Sequence, residues 1–181
     1  MYIETDLRKI KKYSKTKERE NYKFRSFLKQ YDISIKKLDS IVHKIYNEVI
    51  KHIDCTKCAN CCKVVKPQLS KTDIKRLSES MGIPEKDFIY KYLSASSDER
   101  GFYIFNTLPC PLLKDNLCQY YDHRPKDCLS YPHLHKREFI FRLYGMIDNY
   151  GICPIVYNVY EQLKNRFNDF YKFDFEDLYY Y

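Results

Sequence analysis

Apolar positions along the chain change their period several times, and each change predicts an element. From Ile35 onward, Leu38, Ile41, Val42, Ile45, Val49, Ile50 and Ile53 recur at steps of three and four, the stripe of an amphipathic helix. Ser34 stands where that helix needs a cap, and the helix runs straight into Cys55. Ahead of it, residues 1–31 are lysine-rich and only weakly periodic, which predicts partial helix with frayed ends. Downstream, "SKTD" (Ser70 to Asp73) has the form of a capping box and opens a short helix ending at Met81-Gly82. Pro84 starts another helix, which runs to about Leu93 and gives way to the polar loop "SASSDERG".

The second half turns to shorter patterns. "FYIF" (Phe102–Phe105) is aromatic and β-branched and reads as a strand. "CPLLKDNLCQYY" reads as a hairpin turning at Lys114-Asp115-Asn116, with Cys110 and Cys118 on either side. "RPKDC" begins a turn of helix, and "EFIFRLY" (Glu138–Tyr144) reads as one more strand. Pro154 opens a last amphipathic helix with Ile155, Val159, Leu163 and Phe167 in register, and the tail "YKFDFEDLYYY" is acidic and aromatic. Together these predict an α+β fold, predominantly helical with small antiparallel hairpins, its cysteine metal sites between helices and hairpins. The expected organisation is a basic helical arm and lead-in helix over 1–53, a cysteine-cluster domain over 54–160, and a helix end with the acidic tail over 161–181.

Composition and charge narrow the function classes. With 181 residues, 44% of them hydrophobic and only four glycines, the chain has the makings of a packed core and not of a disordered segment. "MYIETDLRKIKK" lacks the apolar run of a signal peptide. The longest uncharged stretches, Gly101–Leu113 and Asn149–Tyr160, fall short of the roughly 20 residues of a membrane span. A cytoplasmic, reducing location is expected, where thiols serve as ligands or redox groups and seldom as disulfides. Residues 1–53 carry fourteen Lys or Arg against seven Asp or Glu, so +7 of the total +8 lies there. Lys9, Lys11, Lys12, Lys15, Lys17, Lys23, Arg25 and Lys29 alternate with Tyr13, Tyr22 and Phe24, a pattern suited to nucleic acid or an acidic protein. Glu4, Asp6, Glu18 and Glu20 interrupt it, as in an ordinary solvated helix.

The chemistry is concentrated in "DCTKCANCC", which puts Cys55, Cys58, Cys61 and Cys62 into nine residues. Zinc and iron both take thiolate, four ligands around zinc or one per iron corner of a cluster. A CxxC step suits them because its two sulfurs turn to one side of a tight knuckle. In extended backbone the adjacent Cys61 and Cys62 point opposite ways and serve two sites more easily than one. With Cys110, Cys118, Cys128 and Cys153 there are eight thiols, which divide naturally into two sets of four. Two zinc or iron sites are therefore preferred over one, a single [4Fe-4S] cluster with spare thiols standing behind. His43 and His52 read as exposed helix residues. His123, His133 and His135 lie in the cysteine-bearing half and have the chemistry of ligands or proton relays, though solvent-exposed or core positions suit each of them better. Arg124 beside Pro125 reads either as an anion contact or as a structural ion-pair partner.

The run CxxCxxCC at 55–62, then Cys110-Pro, "CQYYDHRPKDC" ending at Cys128, and Cys153-Pro resembles the YkgJ-type cysteine-cluster family, over about residues 50–160. The resemblance implies chelation of zinc or iron as the shared property, with all eight cysteines as candidate ligands and no established reaction. The family often has Arg directly after the cysteine of "RPxxC"; this chain has Leu129. One relative is a protein lysine methylase, so an iron–sulfur-dependent enzyme is one alternative. A metal-stabilised module that meets nucleic acid or protein through residues 1–53 is the other.

Overall fold

The computed structural model describes residues 2–97 and 99–173; the acidic aromatic tail beyond Phe173 lies outside the described residues. In chain order come α1 (Leu7–Thr16), α2 (Glu18–Gln30) and α3 (Ile35–Val49). Two one-turn helices follow, α4 (Cys55–Cys58) and α5 (Asn60–Val64), then α6 (Lys71–Met81) and α7 (Glu85–Tyr92). Four short strands, β1 (Leu93–Ala95), β2 (Tyr103–Phe105), β3 (Leu113–Lys114) and β4 (Leu117–Cys118), lead to α8 (Lys126–Ser130). The last elements are α9 (Leu143–Tyr150) and α10 (Pro154–Arg166). The fold is thus predominantly helical with two small antiparallel hairpins, β1–β2 and β3–β4, as expected. By compactness it divides into two units: the described residues up to Ile53 with those from Pro132 onward, and Asp54–Tyr131.

In the first unit α10 is buried along most of its length and packs against α3 and α9. Pro154 at its first turn gives up no hydrogen bond and starts it cleanly. Ser34 caps α3 by accepting from the Lys37 amide, as its position predicts. Residues 1–31 are helical as α1 and α2, which lie against this core with Ile10 and Phe24 fully buried. Phe24 meets the Tyr160 ring edge-on at 5.3 Å and the Phe170 ring at 5.0 Å. Asn158 accepts from the Glu4 amide (3.0 Å) and donates to the Glu4 carbonyl (2.8 Å), fastening the entry to α1. Lys164 is 1% exposed, its ammonium on Glu20 (2.6 Å) and Glu161 (2.8 Å) between the Tyr150 and Tyr160 rings. Two carboxylates and two ring faces compensate this ammonium for the water it loses on burial.

The strand expected at Glu138–Tyr144 is not one. Phe139–Arg142 is a turn of 3-10 helix that runs into α9. The reason is Asp39: its buried carboxylate accepts from the amides of Glu138 (2.7 Å) and Phe139 (2.9 Å), satisfying the orphan donors of a helical start. Strand-like composition yields here to a partner far away in sequence.

In the second unit the capping box forms as read, Ser70 and Asp73 each accepting from the other's amide, and α6 ends on Gly82 with φ +65°. β1 and β2 pair antiparallel with Leu93 opposite Phe105; β1 lies where a polar loop was expected to begin. The β3–β4 turn holds Asp115 (φ +50°) and Asn116 (φ +61°), the left-handed pair that a two-residue hairpin demands. Leu69, Ile74, Leu77, Phe88, Phe105 and Leu112 form its core, with Cys110 and Cys118 packed against it.

Truncating Phe24 removes a ring packed on those of Phe27, Tyr160 and Phe170 in the first unit. Phe24→Ala is expected to destabilise the protein by about 3–5 kcal/mol, measured by urea denaturation.

Candidate metal centre

Asp54 starts the cysteine run by accepting from the Thr56 amide (2.9 Å) and hydroxyl (2.6 Å), which caps α4. One turn later Ala59 adopts φ +48°, a left-handed conformation that costs an L-residue roughly 1–2 kcal/mol. This reversal separates α4 from α5 and turns the chain back, so that Cys55 faces the same space as Cys61 and Cys62. The doubled cysteine is therefore helical and not extended. Cys61 and Cys62 line one cavity, and their side chains are hydrogen-bonded to each other. Steps of about 100° around a helix leave neighbouring side chains on one broad face, whereas a strand would have parted them.

That cavity, about 100 Å³, is lined by Cys55, Cys61, Cys62, Cys110, Cys118 and Cys128. They come from four separate pieces of chain. The Cys110 amide donates to the Cys62 carbonyl (2.8 Å), stitching the second piece to the first. Cys118 is delivered by β4 and Cys128 by α8. Val65, Leu112, Leu113 and Leu117 give the rest of the wall an apolar character. Cys58 stands near Cys55 but outside this wall, and Cys153 is buried at the start of α10 in the other unit. None of the five histidines lines the cavity; His43 Nε2 lies 3.3 Å from the Lys136 carbonyl and His133 and His135 belong to the first unit.

Arg124 is the group that sequence reasoning left open. Its guanidinium stacks on the Tyr121 ring, 3.4 Å from the centroid, and its Nε donates to the Tyr121 carbonyl at 2.7 Å. Among the described residues no carboxylate pairs with it. Both its neighbours in space and its own backbone are braced by a residue read only as a cap. Asp73 accepts from the Lys126 amide (3.0 Å) and from Arg76 (2.8 Å), and the same Arg76 Nη2 donates to the Arg124 carbonyl (2.6 Å). Burial opposes charge on Asp73, but hydrogen bonds from Ser70 and Lys126 hold its carboxyl below the usual range. The signal in the sequence was the "SKTD" box; its second task depends on a segment some fifty residues on.

The thiols differ in electrostatics. The hydrogen bond from Cys61, opposed by burial and helped by the Arg124 charge, pulls Cys62 down to about 7. Burial pushes Cys110 up to about 11 and Cys128 higher still, and raises Cys55 and Cys118 as well. Among the described residues no three thiol, imidazole or carboxylate groups stand as a finished metal site. The donor set nevertheless fits zinc or iron: soft sulfur ligands in a partly dry cavity, where a cation supplies the charge that lets buried thiols ionise.

A helical scaffold whose hairpin and short helices present clustered thiols to one cavity defines a cysteine-cluster protein. The chain belongs to the CxxCxxCC family, described as a "putative zinc- or iron-chelating domain", which matches residues 54–144. No curated protein and no solved structure matches it.

Asp73→Ala is expected to cost about 2–4 kcal/mol at neutral pH, since it strips a cap and charge-assisted bonds at once. A carboxyl held below its ordinary range stabilises above that range and loses its contribution as pH falls through its folded value. The gap between wild type and variant in urea midpoints should therefore close in acid. In metal-free, reduced protein, iodoacetamide should alkylate Cys62 before Cys110 or Cys128, read by peptide mass spectrometry. Its rate should rise with pH through about 7, as the thiolate forms.

Proposed function

We propose that the Asp54–Tyr131 unit binds zinc or iron through the thiols of Cys55, Cys61, Cys62, Cys110, Cys118 and Cys128. The observation that carries this reading is their arrival on one cavity from four pieces of chain. The description of the family as a zinc- or iron-chelating domain supports it. Six donors exceed the four of one tetrahedral site, which favours two metals sharing thiolates over a single closed site. Cys58 interacts with Cys55 from outside this wall and Cys153 belongs to the other unit, so neither is counted among the six.

When bound, zinc supplies a rigid crosslink and iron adds electron transfer. The chain's own part is to hold the segments in register, through the Cys110–Cys62 backbone bond and the Asp73 brace, and to keep the sulfurs half-dry. Because the raised thiols must lose protons as metal enters, uptake releases protons and weakens as pH falls.

The test is metal content per chain after anaerobic purification, with the visible spectrum of the same sample. Iron with acid-labile sulfide and a charge-transfer band, or zinc in a colourless protein, is the expected outcome, and chelation should lower the melting temperature. Cys110→Ser and Cys61→Ser should each lose metal and stability together. Full metal content in both variants would sink the assignment.

A further inference from the structure

α1 is a helix with an inside and an outside. Ile10 is fully buried, Tyr13 stacks on Tyr157 at 5.8 Å, and Lys17 at the helix end pairs with Glu161. The opposite face presents Arg8, Lys11, Lys12 and Lys15, all exposed, at the three- and four-residue steps of one helical side. The ten residues of α1 include no Asp or Glu. Arg8 has a 3.6 Å contact with Asp6, and Lys9 one of 3.6 Å with Glu4. Lys11, Lys12 and Lys15 have no side-chain partner among the described residues.

This arrangement is unfavourable for the isolated helix in two ways. Like charges at steps of three and four repel, and Arg8 and Lys9 sit in the first turn, where the helix dipole opposes cations. The core side holds the helix in place despite both. On a helix pinned by Ile10 and Tyr13, with only Lys15 placed where the dipole favours a cation, the unpaired ammonium groups of Lys11, Lys12 and Lys15 are left to solvent or to a partner outside the chain. A row of cations in which Arg8 alone meets a carboxylate suits a partner whose charges are of the opposite sign and evenly repeated. At 1.5 Å rise per residue, steps of three and four put the cations about 4.5–6 Å apart along the axis, and a nucleic-acid strand, with a phosphate about every 3.4 Å, offers each of them an anion within reach. α1 exposes no large apolar side chain among the described residues, so it lacks what an interfacial membrane helix buries. Two of the aromatics that the sequence interleaves with these lysines, Tyr13 and Phe24, face the core, and Tyr22 lies on α2 against Tyr144, so α1 itself offers cations and no ring for stacking on bases.

We infer that the Arg8–Lys11–Lys12–Lys15 face of α1 is a docking surface for the phosphate backbone of nucleic acid, used without regard to base sequence. It is independent of the metal reading, since it lies in the other unit.

The experiment is fluorescence anisotropy of the full-length protein with a labelled DNA duplex of arbitrary sequence, titrated at several salt concentrations. Wild type should bind with a slope of log affinity on log salt of roughly −3 to −4, as about four neutralised phosphates require. The triple variant Lys11→Gln/Lys12→Gln/Lys15→Gln should bind at least about tenfold more weakly and lose about three units of that slope. It should melt at the same temperature or higher, because repulsion is relieved and no buried group is touched. Lys36→Gln/Lys37→Gln, exposed on α3, should bind like wild type. Absence of saturable binding at low salt would overturn the inference, as would equal loss in both variants. Tighter binding to vesicles of phosphatidylglycerol and phosphatidylcholine than to the duplex, lost in the triple variant, would reassign the stripe to lipid and also overturn it.

Discussion

Bringing six cysteines to the wall of one small cavity is the constraint that shapes the second unit. Thiols are small and weakly polar, so packing alone would scatter them; drawing them together requires the backbone to be bent and braced at defined places. Ala59 takes a left-handed conformation to reverse the chain between α4 and α5. The Cys110 amide is bonded to the Cys62 carbonyl, and Cys118 comes on a two-residue strand whose turn uses Asp115 and Asn116 in left-handed geometry. Asp73, 1% exposed, joins α6 to the segment that carries Arg124 and Cys128. The burial that raises four of these thiols and the hydrogen bond that lowers Cys62 are consequences of the same convergence.

Organisation in the first unit rests on buried charge instead. Lys164 lies at its centre with Glu20 and Glu161, and Tyr150 donates to Glu161 at 2.8 Å. Glu161 also receives Lys17, so the group ties α1 and α2 to α10. Buried pairs of this kind add little net stability compared with an apolar core, but they tolerate few alternative packings. They account for lysine-rich helices that are anchored on one side and free on the other.

Elements with local signals were legible. Ser34, the Ser70–Asp73 box, Gly82 and Pro154 mark helix ends through bonds to the next turn, and the structure has them there. Those with distant partners were not. Residues 138–144 have strand composition, yet Asp39 makes them helical from 99 residues away. Residues 1–31 appear weakly periodic because Ile10, Phe24, Phe27 and Leu28 are few, and the surface they cover is supplied by α9, α10 and the turn after it.

The cysteine centre divides in the same manner. Which residues bring the chemistry was readable from the sequence, because sulfur donors and CxxC steps are properties of side chain and spacing. Which of them meet was decided by the tertiary structure. Helical backbone at 60–64 puts Cys61 and Cys62 on one cavity, where extended backbone would have parted them. Cys110, Cys118 and Cys128 join because a hairpin, a core and the Asp73 brace bring them there, and Cys153 folds with the other unit. Spacing along a chain sets the geometry of the next turn only; which segments converge is set by burying apolar surface and satisfying buried polar groups across the whole fold.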